Sequence, residues 1–241
     1  MALSKILIAD DNQPNVELLE AYLTGIECDI EIARDGQETI DKVADFQPDV
    51  ILLDVVAGSP DLIGELIQVD LADSASLHSS FEQLGDFDVL ANIAGGFAMG
   101  PAVHETEDEL WDAMFSINVT TLRRVLNEAV PRLLAKGSGS VINVGAMGAL
   151  RGAPNMGAYL ASKSVVMRLT ESLSEEVKGA GINVNAVLPT VIDTPRNRAD
   201  MPSADPAAWV DPLDLGEVIC FLGSDAAKAV HGALVPVSGL S

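Results

Sequence analysis

At 241 residues, 48% of them apolar and with 20 Gly and 12 Pro, the chain is long enough for one large α/β domain or two small ones, and its composition marks no disordered tail. Its 14 Lys and Arg face 36 Asp and Glu, and a formal charge of −22 repels phosphate backbones and anionic headgroups, which argues against nucleic acid and membrane surfaces as partners. Two cysteines, Cys28 and Cys220, are too few for a disulfide framework, and there is neither a signal-peptide core nor an apolar run near the ~18 residues of a membrane span, so a cytoplasmic protein is expected.

Short apolar runs fall at residues 6–9, 30–33, 50–56, 66–69, 89–91, 141–144, 184–188 and 234–237, mostly separated by segments of helical period. Alternation of this kind predicts parallel strands with helices on both faces: a single doubly wound α/β sheet, three layers deep, Rossmann-like and flavodoxin-like at once. Asp35-Gly36 reads as a turn after the second run, and Thr106 with Glu109 as a capping box ahead of a long amphipathic helix. Residues 195–212 carry four prolines and read as a loop or small lid. No polar linker divides the chain, so one body over residues 1–241 is expected. The acidity is uneven, with 13 acids against 3 bases in residues 1–56, which hints at two origins.

The front of the chain runs Lys-Ile-Leu-Ile-Ala-Asp-Asp-Asn from Lys5 and reaches Val-Ile-Leu-Leu-Asp-Val-Val at Val50. Residues 1–56 thereby resemble the first half of a response-regulator receiver domain. The resemblance implies a Mg²⁺ site at Asp10, Asp11 and Asp54, with Asp54 as phosphoacceptor, and hard carboxylate oxygens suit that ion. The receiver's later Thr/Ser and Lys have no counterpart here.

Residues 57–241 resemble a short-chain dehydrogenase/reductase on four motifs in order: Asp70 in Val-Asp-Leu-Ala-Asp, Asn92-Ile-Ala-Gly95, Asn118 in Ser-Ile-Asn-Val, and Tyr159-Leu-Ala-Ser-Lys163. Spacing of i, i+4 puts Tyr159 and Lys163 on one helical face, where the ammonium is expected to lower the phenol toward working pH. The resemblance implies Tyr159 as general acid/base, Lys163 as its partner and ribose ligand, and Asn118 as support for a proton relay. It implies cofactor contacts at Asp70, Asn92, Ala94, Gly95, Lys163, Pro189 and Thr194. Two features depart from the family: Ala146 stands where its substrate-orienting Ser belongs, and no glycine lies between Met1 and Gly25, where it carries a glycine-rich turn.

If the run at 6–9 fills the family's first-strand slot, Asp10 and Asp11 meet the cofactor's pyrophosphate. Each close like-charge contact then costs on the order of 4 kcal/mol, enough in pairs to erase a micromolar site. The sequence on its own thus favours an engineered or recombinant chimera, joined between Asp54 and Gly64, with a vestigial site and no bound cofactor. The alternatives are an NAD(P)-dependent oxidoreductase for an alcohol/carbonyl couple, or a phosphoacceptor module. NAD and NADP stay open, and helices near 107–135 and 156–179 are candidates for a homo-oligomer interface, with Met156, Val165, Val166 and Leu169 as its apolar surface.

Overall fold

The structure, a computed structural model, describes residues 4–9, 28–29, 50–53, 67 and 69–240. Among the described residues seven strands form one parallel sheet: β1 (Ser4–Ala9), β2 (Cys28–Asp29), β3 (Val50–Leu53), β4 (Val89–Asn92), β5 (Gly139–Val144), β6 (Ile182–Pro189) and β7 (Leu234–Val237). Their spatial order is β2-β1-β3-β4-β5-β6-β7. The helices are α1 (Ser74–Leu84), α2 (Asp108–Phe115), α3 (Thr121–Lys136), α4 (Gly157–Val177), α5 (Pro195–Asp200) and α6 (Pro212–Gly223).

Successive residues of a strand point to opposite faces, and the core is divided accordingly. Leu90, Val141, Ile182 and Val184 pack on one face with Leu77 and Phe81 of α1, Val125 and Leu133 of α3 and Val177 of α4. Their neighbours Ala91, Ile142 and Val187 pack on the other face with Leu215, Ile219 and Leu222 of α6. A sheet covered on both sides leaves no strand face to solvent: every residue of β6 is buried, and its Asn183 and Asn185 amides donate to the carbonyls of Ala227 and Val230. Three layers and a doubly wound sheet follow, as the run pattern predicts.

The order of the first five strands is the flavodoxin-like one, extended here by β6 and β7. It settles which run stands next to the Asn92 motif. β3 pairs with β4, Leu53 opposite Asn92, while β1 lies one strand further out, Ala9 opposite Leu53. The run at 6–9 therefore does not fill the slot assumed for it, and the repulsion argument built on Asp10 and Asp11 loses its premise. Of the run predicted at 66–69, the described residues Ile67 and Val69 are buried and lie outside any strand, so they supply core side chains only.

Helix ends follow their capping chemistry. The Asp73 carboxylate accepts from the backbone N–H groups of Ala75 and Ser76 and starts α1; Asp211 and Thr194 do the same for α6 and α5, each followed by a proline. The capping box expected at Thr106 and Glu109 does not form. The Thr106 hydroxyl donates instead to Ala102 O, which closes a short 3-10 turn, and α2 starts at Asp108. The long helix expected over 107–135 is interrupted by a π-helical turn at Ser116–Thr120. Residues 195–212 form no open lid. They hold α5 and a 3-10 turn, and buried Trp209 and Val210 fasten the segment, with Val210 hydrogen-bonded to Val191 and Asp193.

Of the apolar residues expected to face a second subunit, Val166 is buried in the chain's own interior, whereas Val165, Leu169 and Met156 are half-buried. Among the described residues no helix is long and apolar enough to cross a membrane.

Candidate active site

In an open parallel sheet the crevice beyond the carboxyl ends of the strands is where ligands bind. Here the ends of β4 and β5 present two asparagines in register, Asn92 opposite Asn143. Asn92 Nδ2 donates to Asn143 Oδ1 at 2.8 Å, Asn143 Nδ2 donates to Thr170 Oγ1 at 2.9 Å, and that hydroxyl donates to Val166 O at 2.9 Å. Asn143 and Thr170 have no exposed surface, and pairing is what makes amides tolerable there. The chain of bonds fixes the Asn92 side chain and pins α4 against the sheet.

Past β4 the chain turns through Ala94, Gly95 and Gly96. Asn118, turned inward by the π-helical turn, braces that stretch from both sides: its Oδ1 accepts from Gly96 N at 2.9 Å and its Nδ2 donates to Gly96 O at 3.0 Å. π-Turns of this kind recur at functional sites. Asn118 Nδ2 also donates to Ser162 Oγ, and Ser162 Oγ donates to Tyr159 O at 2.7 Å. A Cβ on Gly95 would come within 2.8 Å of Asn118 Oδ1 and 3.0 Å of Lys163 Nζ, so only glycine lets the backbone pass there.

Tyr159 and Lys163 both lie in the first turns of α4, as their spacing predicts. Lys163 is buried and its ammonium donates to Val144 O at 2.9 Å, with no carboxylate in ion-pair range among the described residues. Burial without a counter-ion holds the ammonium down to about 8. The phenol moves the opposite way from the expectation, since its own burial pushes Tyr159 up to about 12, with no offset from Lys163. Phe97 packs edge-on against the Tyr159 ring, centroids 4.9 Å apart. A cavity of about 10 Å³, room for about one water, lies among Leu71, Asn92, Asn118, Thr121, Asn143 and Lys163.

Ala146 is buried in extended backbone at the end of β5, in the apolar cluster that includes Tyr159, so a methyl group lies where a hydroxyl was sought. Pro189 ends β6, Thr194 caps α5, and Asp70 is exposed just before α1, its carboxylate accepting from Ala72 N. Asn92, Ala94, Gly95, Asn118 and Lys163 are brought together. Asp70, Pro189 and Thr194 are not bonded to that cluster. Asn143, Thr170 and Ser162 were missed from sequence; the signal was there for one of them, since Asn143 is a polar residue inside the apolar run Val-Ile-Asn-Val. Asp10, Asp11 and Asp54 lie outside the described residues.

The comparisons with known proteins agree with this geometry. A family model described as enoyl-(acyl carrier protein) reductase matches residues 44–239. A cis-4-hydroxycyclohexanecarboxylate dehydrogenase of Sinomonas cyclohexanicum is 30% identical over 225 residues, covering 85% of this chain and 90% of its own. A carveol dehydrogenase of Mycobacterium avium, solved in complex with NAD, superposes with a TM-score of 0.71 at 25% identity, over 98% of this chain and 96% of that one. A short-chain type dehydrogenase/reductase of Mycobacterium ulcerans shares the fold at a TM-score of 0.76 and 19% identity, over 100% of this chain and 90% of that one. The chain belongs to the short-chain dehydrogenase/reductase family.

Two expectations are corrected by these matches. The family match starts at residue 44, upstream of the supposed junction between Asp54 and Gly64, and single short-chain folds superpose on essentially the whole chain, so a receiver–dehydrogenase chimera is not what it is. A vestigial site also conflicts with relatives that are dehydrogenases. The Mg²⁺ site and the phosphoacceptor role at Asp54 lose the resemblance on which they rested.

Proposed function

We propose that the protein is an NAD(P)-dependent oxidoreductase acting on an alcohol/carbonyl couple, with Tyr159 as proton donor and acceptor. The observation that carries this reading is Lys163: a buried ammonium with one acceptor, next to Asn92 and the Gly95 turn, at the carboxyl end of a parallel sheet. An ammonium has three N–H groups, and burying it with one of them paired is costly unless a ligand takes the others.

The residues fit a nicotinamide dinucleotide on that ground. Lys163 offers its unused N–H groups to ribose hydroxyls, and Asn92, Ala94 and Gly95 offer backbone at the strand end, with Asp70, Pro189 and Thr194 as further contacts. When bound, the cofactor accepts a hydride from the alcohol carbon or returns one to the carbonyl carbon. Tyr159, neutral across the physiological range, protonates the carbonyl oxygen in reduction and is left as the phenolate; in oxidation that phenolate, formed once the phenol's own proton has left to solvent, takes the hydroxyl proton. Asn118 holds the Gly96 turn and, through Ser162, the backbone of Tyr159, so the proton donor and the cofactor edge are set by one group of bonds. A homo-oligomer through the helical regions near 107–135 and 156–179 belongs to the same reading, supported by exposed Leu134 on α3 and measurable by sedimentation.

The test is a fluorescence titration with NADH, with Tyr159→Phe in parallel, followed by assays on alcohols and ketones. The wild type is expected to bind and turn over. The variant is expected to bind as well and to lose roughly 10²–10⁴ in kcat, the usual worth of positioned acid–base catalysis. Absence of NADH and NADPH binding in folded protein overturns the reading.

A further inference from the structure

The relatives do not agree on the charge of what they act on, since one is named for a carboxylate and another for carveol, so this chain's own side chains have to decide it. The inference rests on the oxidoreductase reading and concerns the substrate side of Tyr159. Two loops frame that side, 93–107 after β4 and 147–157 before α4. They are tied together where Gly100 N donates to Asn155 O at 2.8 Å, and Asn155 takes the left-handed backbone (φ 62°) that asparagine adopts more readily than other side chains. Val103 packs directly over the start of α4, where a Cβ on Gly157 would come within 2.8 Å of its Cγ2.

These loops carry four of the seven large apolar side chains that stand exposed among the described residues: Phe97 at 51%, Met99 at 62%, Val103 at 61% and Leu150 at 54%. Phe97 continues the patch directly onto the reactive phenol through its edge contact with Tyr159. Behind it, Ala146, Met147 and Met156 continue the apolar lining in the cluster that holds Tyr159. With Ala146 in place of a hydroxyl, binding energy on this side comes from apolar contact.

Charge selects further. Glu105, Glu107, Asp108, Glu109 and Asp112 follow the apolar rim and all are exposed, whereas Arg151 is the one permanent cation on the two loops. The sequence holds no Lys or Arg at all between Lys42 and Arg123. A carboxylate, sulfonate or phosphate, or an acidic carrier protein, approaches a rim of its own sign. We infer that the substrate is an uncharged, largely apolar secondary alcohol or the matching ketone, seated against Phe97, Met99 and Val103.

The experiment compares two alcohols of similar shape, 4-methylcyclohexanol and cis-4-hydroxycyclohexanecarboxylate, with NAD⁺ and with NADP⁺, on the full chain at low and at physiological salt. The uncharged alcohol is expected to give a kcat/KM roughly 10-fold or more above the carboxylate, with the gap narrowing as salt screens the acidic rim. Met99→Ser is expected to raise KM for the uncharged alcohol several-fold with kcat and melting temperature unchanged. Equal or better turnover of the carboxylate overturns the inference and leaves the oxidoreductase reading standing. If Met99→Ser dissociates an oligomer and leaves KM unchanged, the patch is an interface between copies, and the inference is likewise overturned. Failure of both alcohols in protein that binds neither cofactor is a failure of the underlying reading itself.

Discussion

Lys163 is the residue on which both the chemistry and a measurable cost converge. Its ammonium is charged in the unfolded chain up to about 10.5 and in the folded one only up to about 8. Below pH 8 both states carry the proton and folding bears the full cost of burying it. Between about 8 and 10.5 the unfolded chain binds more proton than the folded one, so stability rises with pH across that window, by up to roughly 3 kcal/mol at 1.36 kcal/mol per pKa unit. Tyr159 acts in the opposite sense further up: its folded pKa is raised, so its contribution is full below about 10 and is lost toward about 12. Urea midpoints of the wild type from pH 7.5 to 9.5 are expected to climb relative to Lys163→Met, which at neutral pH is as stable as the wild type or more so. Parallel pH profiles for the two proteins would show that the ammonium is solvated or paired in solution. The same pair shows where local sequence logic stops. The i, i+4 spacing correctly placed both side chains on one helix, but their titration is set by burial, and burial is decided by β4, β5 and the Asn118 turn, far away in sequence.

Helix α4 is held to the sheet by polar bonds as well as by packing. Ser162 joins it to Asn118, Ser164 donates to Ala149 O in the 3-10 turn after β5, and Thr170 closes the Asn92–Asn143 chain. Three hydroxyls on one helix thus reach Asn118 at the Gly96 turn, the turn after β5 and the strand between them. Thr170→Val keeps the shape and removes the acceptor, which leaves an Asn143 N–H buried without a partner at a cost of about 1–3 kcal/mol. At about 2–4 °C per kcal/mol for a chain of this size, calorimetry should show a clear loss of melting temperature, whereas Thr170→Ser, which keeps the hydroxyl, should lose much less. Equal loss in the two variants would assign the effect to packing around the methyl group. Of this network the motifs supplied Asn92 and Asn118, whereas Asn143, Ser162, Ser164 and Thr170 were not legible from motif spacing. Ser162 lies inside the Tyr159–Lys163 motif, at a helical position where a serine ordinarily faces solvent, so nothing local marks it. Strands β4 to β7 were legible as apolar runs because a sheet covered on both faces demands them. The π-turn at Asn118 was not, since nothing local in Ser-Ile-Asn-Val-Thr distinguishes it from α-helix.

At the scale of the whole molecule, the front of the chain was misread for a physical reason. An apolar run that ends in acids is what any parallel strand opening onto a polar crevice can look like, and the run at 50–56 with Asp54 satisfies two families at once. Strand order is a long-range property and decides only the slot: β3, not β1, stands beside β4, whereas the chimera falls to the family match that starts at residue 44. What survives from the composition is the charge itself. A net −22 spread over a molecule of this size sets up a negative potential that a dinucleotide, anionic through its pyrophosphate, has to climb wherever it docks. Exposed surface acids such as those of the 105–112 segment are screened by salt over about 10 Å at 0.1 M, whereas the buried hydrogen bonds of Asn92, Asn118 and Lys163 are screened little. NADH affinity is therefore expected to rise with ionic strength, by at least about 2-fold between roughly 10 mM and 200 mM NaCl, where a site ruled by local cations would weaken. Fluorescence titrations at constant pH measure this directly. Tightening with salt assigns the unfavourable part of cofactor binding to the whole-molecule field, and weakening assigns the favourable part to a cation at the phosphates, which the 80-residue stretch between Lys42 and Arg123 does not contain.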